Sequence, residues 1–304
     1  MAAAWVLGPS FLIGFMAMGF AMIQPVQTAT GKWRFEEVNE PHLVFLLFFV
    51  LYGLLLFVCG TVFFFGGLFS RFQYERSLKP SVIRFTDVSY FLSWVLLTTL
   101  FFMPFYSPTG ESTGITWVDL IPWLAIVGFC LWLHRGRLPV LGFQRPRSWI
   151  GMWILVPVLF VLIFFLLDPF ITQPVADLFS LDLHSSREED LTHSLKDAFQ
   201  HGWWPVGLEF FAVGLLGPIA EEILFRGYLQ KWLVGRIGAW AGILVTALLF
   251  SLYHVDVASA APIFVMGILL SGLTLYFRSL WPAILLHVIN NTVATGIDLL
   301  EIMS

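Results

Sequence analysis

Apolar residues run along this chain in long blocks, at about 4–23, 42–69, 88–106, 116–133, 149–170, 203–225, 238–254, 261–277 and 282–300. A helix needs about 20 predominantly apolar residues to cross the hydrocarbon core of a bilayer. The pattern therefore predicts an all-α, polytopic transmembrane helical bundle of about nine spans, with about eight to ten as the range. The seventh, eighth and ninth blocks are short and the sixth runs into charge at Glu221. These last four are the least lipid-like, and helices of that kind usually line something other than lipid. Met1 to Ile23 is apolar with no Lys or Arg before Lys32, so it lacks the charged n-region of a cleavable signal peptide and is expected to stay as a first span.

Composition agrees with a bilayer as the solvent. Of 304 residues 58% are hydrophobic and 12% charged, against about 45–50% and about 25% in ordinary globular chains. The 32 Phe and 13 Trp suit lipid-facing bulk and interfacial anchoring. A net charge of -4 points to no nucleic acid or other polyanionic partner. Cytoplasmic loops carry the excess of Lys and Arg. With the N-terminus inside, cytoplasmic connections would hold Arg71, Arg76, Lys79, Arg84, Arg135, Arg137, Arg145, Arg147, Arg226, Lys231, Arg236 and Arg278, twelve in all, against Lys32, Arg34, Arg187 and Lys196 on the other side. The expectation is a multi-pass protein of the cell membrane with a cytoplasmic N-terminus. The longest connection, Asp168 to Gly202, is acidic; it is expected on the far side as a solvated amphipathic loop that includes His184 and His193. Cys59 and Cys130 lie inside apolar runs and read as small hydrophobes. The basic stretch Arg135 to Arg147 separates residues 1–134, an unassigned membrane module of about four spans, from residues 140–304, a core of about five.

Only that core holds ionisable residues in constellation. They form three groups: Glu221-Glu222-Ile223-Leu224-Phe225-Arg226, Phe250-Ser251-Leu252-Tyr253-His254, and His287-Val288-Ile289-Asn290-Asn291. Ionisable residues within spans are costly and usually face a bundle interior or watery cavity. Glu222 and Arg226 are four apart and can pair on one face; Phe250 and His254, and His287 and Asn291, repeat the spacing. The sixth and seventh helices are predicted to turn near Gly235 to Gly238, which sets Glu221 and His254 equally far from the turn, and Gly238 and Gly242 permit close helix approach. Counting from Trp281 puts His287 nearer the cytoplasmic surface than Glu221, a mismatch that a sixth helix broken after Gly227 would remove. A lone buried His is more often a core residue and a Glu-Arg pair more often a structural bridge, but three groups within 71 residues shift the balance to chemistry. A carboxylate beside an imidazole is a general-base pair for water, and a second His with an Asn supplies donors for an oxyanion. There is no Gly-x-Ser-x-Gly, P-loop or His-Glu-x-x-His pattern.

Glu221-Glu222-x-x-x-Arg226, Phe250-x-x-x-His254 and His287-x-x-x-Asn291, in this order, resemble the three motifs of the CAAX-protease and bacteriocin-processing (CPBP) glutamic intramembrane endopeptidases, of type II CAAX prenyl endopeptidase kind. The flanks Phe225-Arg226-Gly227-Tyr228-Leu229 and Ser279-Leu280-Trp281-Pro282-Ala283-Ile284 agree, and the resemblance covers about residues 140–300. It implies a membrane-embedded endopeptidase in which Glu221 is the catalytic glutamate, His254 positions the water, His287 and Asn291 form the oxyanion side, and Glu222 and Arg226 are a supporting ion pair. Its substrate would be a membrane-associated protein or peptide. No cofactor is expected. The alternative is zinc held by Glu221, His254 and His287, disfavoured for the adjacent pair because Glu221 and Glu222 point about 100° apart on a helix. Two other functions compete: an inactive scaffold or immunity-type relative, and a proton-coupled transporter using buried Glu and His with Glu209 and Asp298. Oligomeric state and the substrate itself are not fixed by the sequence.

Overall fold

The computed structural model describes residues 2–38, 43–74, 82–102 and 117–304. The long apolar blocks form helices: α1 (Ala2–Ala21), α2 (Leu43–Tyr74), α3 (Phe85–Phe102), α4 (Trp117–Leu133), the short α5 (Leu138–Leu141) and α6 (Trp149–Leu167). A π-helical turn, Asp168–Thr172, leads to α7 (Gln173–Phe179) and α8 (Ser186–Gln200). A continuous helical rod follows, made of α9 (Trp203–Glu209), a π-helical stretch Phe210–Leu216, α10 (Gly217–Glu222), a second π-helical stretch Ile223–Leu229 and α11 (Gln230–Ile237). The chain ends with α12 (Ala239–Tyr253), α13 (Ala260–Phe277) and α14 (Trp281–Met303).

The protein is predominantly helical and an integral membrane protein. Among the described residues five helices are long and apolar enough to cross a membrane, Leu43–Phe69, Phe85–Phe102, Trp149–Phe179, Ala260–Phe277 and Trp281–Met303, while Leu12–Ala21, Leu120–Leu133 and Ala239–Tyr253 are shorter apolar helices. Large apolar side chains such as Leu47, Phe48, Ile150 and Phe165 face outward, as they do where lipid replaces water. Residues 42, 103–106 and 116 of three predicted blocks, and the basic residues Arg76 and Lys79, lie outside the described residues.

Two features depart from the expected pattern. After α1 the chain forms an antiparallel hairpin, β1 (Ile23–Gln27) against β2 (Trp33–Glu37), with Ile23 opposite Glu37. Its second strand alternates apolar and polar residues over Trp33 to Glu36, and the turn holds Gly31 in the left-handed region at φ 81°, a signal that lies outside the long apolar blocks. The second departure is Asp168 to Gly202, which is mostly helical. Ser185 caps α8 by accepting from Glu188 N at 3.1 Å. Glu188 and Glu189 in its first turn complement the helix dipole. Leu195 and Ala198 bury against Val206, with Leu299 and Ile302 packed alongside.

The connections gather at two ends. At one, Lys231 Nζ donates to Val140 O (2.6 Å), Ser279 Oγ to Gln144 O (2.7 Å), Arg147 N to Phe277 O (3.0 Å) and Leu280 N to Gly142 O (2.9 Å). This is the basic end. At the other, the hairpin docks on the segment before α8: Trp33 N donates to Ser180 O and Asp182 N to Trp33 O, each at 2.7 Å, and Arg34 Nη2 meets Asp182 Oδ2 at 2.8 Å. Between the ends, Gly242 lets α12 lie on α11, since a Cβ there would come within 2.7 Å of Val234.

The hydrogen bond from Arg34 holds the Asp182 carboxyl below the usual carboxylate range. A depressed folded value means that the docking contribution is present above the ordinary Asp range near about 4 and is lost as pH falls through the lower folded value. Hydrogen exchange of the Trp33–Glu37 amides should therefore quicken on acidification, and Arg34→Ala should quicken it several-fold at neutral pH, as suits a surface pair, while removing the acid dependence. Unchanged exchange in the variant would show that the backbone pairing alone holds the hairpin.

Candidate active site

The rod from Trp203 to Ile237 brings the paired glutamates into the protein. Its π-helical stretches accommodate an extra residue in the turn, a geometry concentrated at functional sites. Adjacent residues on a helix diverge by about 100°, and Glu221 and Glu222 accordingly face different surroundings. Glu222 is fully buried beside Arg226, which is fully buried too. One oxygen, Oε1, accepts from Arg226 Nη1 and is bonded to His287 Nδ1, both at 2.9 Å. Arg226 Nη2 donates to Gly267 O at 3.2 Å, and the guanidinium lies 4.2 Å from the Phe250 ring centroid. A charge-assisted bond and an aromatic face replace part of the water that the cation has given up, while Arg226 Nε and Glu222 Oε2 are buried without a hydrogen-bond partner among the described residues.

Phe250 serves more than one neighbour. Its ring also stands edge-on to His254 at 4.8 Å and to His287 at 5.8 Å between centroids. The same ring that supports the ion pair therefore walls both histidines, a physical reason for a large flat side chain four residues before His254.

Glu221 points into a cavity of about 580 Å³ whose wall includes His254, His287 and Asn291. Its Oε2 lies 3.7 Å from His287 Nε2 and 4.0 Å from His254 Nε2. These gaps exceed a direct hydrogen bond; a water-sized bridge is the usual occupant of such a spacing. His254 Nδ1 is 2.8 Å from Phe250 O. A carbonyl only accepts, so Nδ1 carries the proton and Nε2 of the neutral ring offers a lone pair to the cavity. Asn291 Nδ2 donates to Val213 O at 3.2 Å, which fixes the amide while leaving its second N–H. Val255, directly after His254, has φ 51°. A β-branched residue is strained there, and such strain persists only where surrounding structure imposes it. Gly19 of α1 is part of that surrounding: a Cβ on it would come within 2.6 Å of Val255.

All six residues singled out from the sequence meet in this region. The Glu222–Arg226 pair has the expected spacing, and Glu222 in addition turns His287 so that Nε2 faces Glu221. The sixth helix has no break after Gly227; its π-helical stretch Ile223–Leu229 is buried and runs into α11. The depth mismatch disappears differently: Ser279 and Leu280 are fully buried beneath the 138–147 segment, so counting from Trp281 does not start at the membrane surface. Sequence reasoning missed α8 as a wall of the cavity; Glu209, singled out only for the transporter alternative, also lines it and accepts from Ser194. The capping signature of α8, Ser185-x-x-Glu188, was legible; its position over the cavity was not. Among the described residues no group of three His, Cys, Asp or Glu is set to hold a metal ion.

Breaking a buried ion pair strands the remaining charge and typically costs about 3–5 kcal/mol. Arg226→Ala should therefore lower thermal stability and membrane accumulation sharply, with His287 losing its fixed orientation. If melting and abundance matched wild type while activity vanished, the guanidinium would instead act on substrate.

Residues 203–293 match the family model described as type II CAAX prenyl endopeptidase Rce1-like. No curated protein and no solved structure matches the chain. The matched segment contains all three polar groups and the geometry that joins them. Residues 203–293, a little under a third of the chain, are thus similar to the Rce1-like domain of type II CAAX prenyl endopeptidases, a family of membrane proteases.

Proposed function

We propose that the chain is an intramembrane glutamic endopeptidase that hydrolyses a peptide bond near a membrane-associated segment or C-terminal tail of a protein or peptide. The observation that carries this reading is the convergence of Glu221 with two imidazole Nε2 atoms, within 4.0 Å, on the wall of one cavity. A water placed there donates one hydrogen to His254 Nε2 and yields its other proton to Glu221. The resulting hydroxide adds to the scissile carbonyl carbon, and the carbonyl oxygen becomes the oxyanion. Asn291, with its free N–H, lines the side that receives that charge; His287, whose Nδ1–H is held by Glu222, adds a donor there through Nε2 only as the imidazolium. Collapse of the tetrahedral intermediate breaks the C–N bond, and Glu221 returns its proton to the leaving amine. Glu222 and Arg226 stay outside the reaction and hold His287. No step calls for a metal or cofactor, and residues 1–134 are an N-terminal membrane module that shares one hydrophobic cluster with the core.

Glu221→Gln keeps shape and hydrogen bonding but cannot take the proton, so cleavage should fall by about 10²–10⁴. His254→Ala should be nearly as damaging, and Asn291→Ala should lose about 10²–10³. The double variant of Glu221→Gln with His254→Ala should be little worse than the worse single one, because residues that act as a unit are not additive. Chelators and thiol reagents should leave activity intact. Near wild-type cleavage by folded Glu221→Gln would discard the glutamic mechanism in favour of a scaffold; chelator inhibition reversed by zinc would replace the general base with metal-bound water.

The charge distribution supports a cytoplasmic N-terminus in the cell membrane, with the basic end inside. A cysteine placed at Ser186, otherwise free to react at the hairpin end, should label from outside intact cells with an impermeant thiol reagent. Labelling only after permeabilisation would invert the topology.

A further inference from the structure

The catalytic cavity is not alone at its end of the molecule. A second cavity of about 290 Å³ lies beside it, walled by the hairpin, the start of α8 and the turn after α12. The two share His254, Arg187 and Ala258 as lining residues. The catalytic histidine therefore stands at the junction of an inner chamber and an outer vestibule. Small-molecule sites are usually single pockets of about 300–1,000 Å³; two chambers meeting at the reacting groups suit an extended chain that passes from one to the other.

The vestibule is built jointly by the two halves of the sequence. Phe35 and Glu37 come from β2, and Gly19 and Met22 from the end of α1. The hairpin is locked to Asp182 by Arg34, the segment continues to Ser185, and Ser185 Oγ donates to Asp256 Oδ2 at 2.6 Å, two residues beyond His254. One line of bonds thus joins the N-terminal hairpin to the catalytic turn. The walls are also one-sided in charge. Glu37, Asp182, Asp190 and Asp256 line the vestibule, and among the described residues Arg187 is the one Lys or Arg lining either chamber. Asp182 is balanced by Arg34, and Asp256 accepts from Ser185 and from the Ala258 and Ser259 amides. Glu37 and Asp190 are exposed and have no ion pair among the described residues, so their fields are directed at whatever enters.

We propose that the two chambers form one substrate groove, in which a polypeptide lies with its scissile bond at Glu221 and His254 and a basic flank in the vestibule made by the N-terminal hairpin and α8. This deepens, and rests on, the hydrolytic reading of the same site. It assigns the N-terminal module a part in substrate selection: the hairpin supplies a wall that residues 140–304 lack. A prenylated tail without basic neighbours would fill the inner chamber alone; a membrane-proximal segment flanked by Lys or Arg fills both.

The test uses the full-length Glu221→Gln protein in detergent, so that binding is read without hydrolysis. Fluorescent peptides share one apolar tract and end in a run of lysines, glutamines or glutamates, at either terminus. Fluorescence anisotropy should show a lysine-ended peptide binding about tenfold tighter than its glutamate-ended counterpart at low salt, as expected for a few exposed charge contacts. Adding Glu37→Lys with Asp190→Lys should reverse that order, whereas Asp177→Lys with Glu301→Lys, an equal charge change outside both chambers, should preserve it. A benzophenone on the basic flank should crosslink to residues 33–37. Equal affinity for the two peptides, persistence of the order in the vestibule variant, or crosslinks confined to α14 would each overturn the groove. The two readings fail separately. If discrimination and its reversal hold while wild-type protein leaves every peptide intact, the groove stands and the protease assignment falls.

Discussion

The carboxylate of Glu222 has no solvent of its own. Its charge is met by Arg226 one helical turn later and by a ring nitrogen of His287 from another helix, all three buried. In an apolar interior an ion survives only with its partners in place, so this one oxygen joins the π-helical stretch of the rod to α14. The Gly267 carbonyl and the Phe250 face add α13 and α12 to the same arrangement. The cavity residues are positioned as a consequence. His287 presents Nε2 to Glu221 because Nδ1 is already committed, and His254 sits edge-on to the ring that supports the guanidinium.

That arrangement was legible in the sequence because membranes make polar residues conspicuous. Glu222 and Arg226 at a four-residue spacing, and two histidines each four residues from another marked position, stand out against blocks of Leu, Phe and Val. The spacing carried the pairing, and the turn near Gly238 carried the approach of α11 and α12. What spacing could not carry was the third partner of Glu222, since 65 residues separate it from His287 and no local pattern records which face of α14 meets the rod. Depth was misjudged for a similar reason. A helix start is not a membrane surface: the 138–147 segment covers Leu280 and moves that surface outward.

The extramembrane pieces were harder to read. The hairpin occupies a stretch whose strands are only five residues each, too short to register against an apolar-block reading. The segment after α6 looked like a solvated loop because its charged residues dominate its composition. Its buried positions, Leu195 and Ala198, are few, and they become meaningful only when α9 and α14 are beside them. Gly19 is the clearest link between the two halves of the chain: the missing side chain admits the Val255 turn, and the strained backbone at Val255 follows directly on His254.

The length of α12 has a consequence for the lipid itself. Fifteen residues at 1.5 Å each span about 22 Å, short of the roughly 30 Å hydrocarbon thickness of a bilayer. Trp240, Leu244 and Leu248 on its outward face are exposed, so lipid tails meet this short helix directly. Acyl chains beside it must shorten or tilt to avoid wetting, at a modest cost per ångström of mismatch. Because His254 caps the C-terminal end of this helix, a bilayer thinned to match α12 would bring the headgroup layer nearer the reacting groups, and a thicker one would hold it further away.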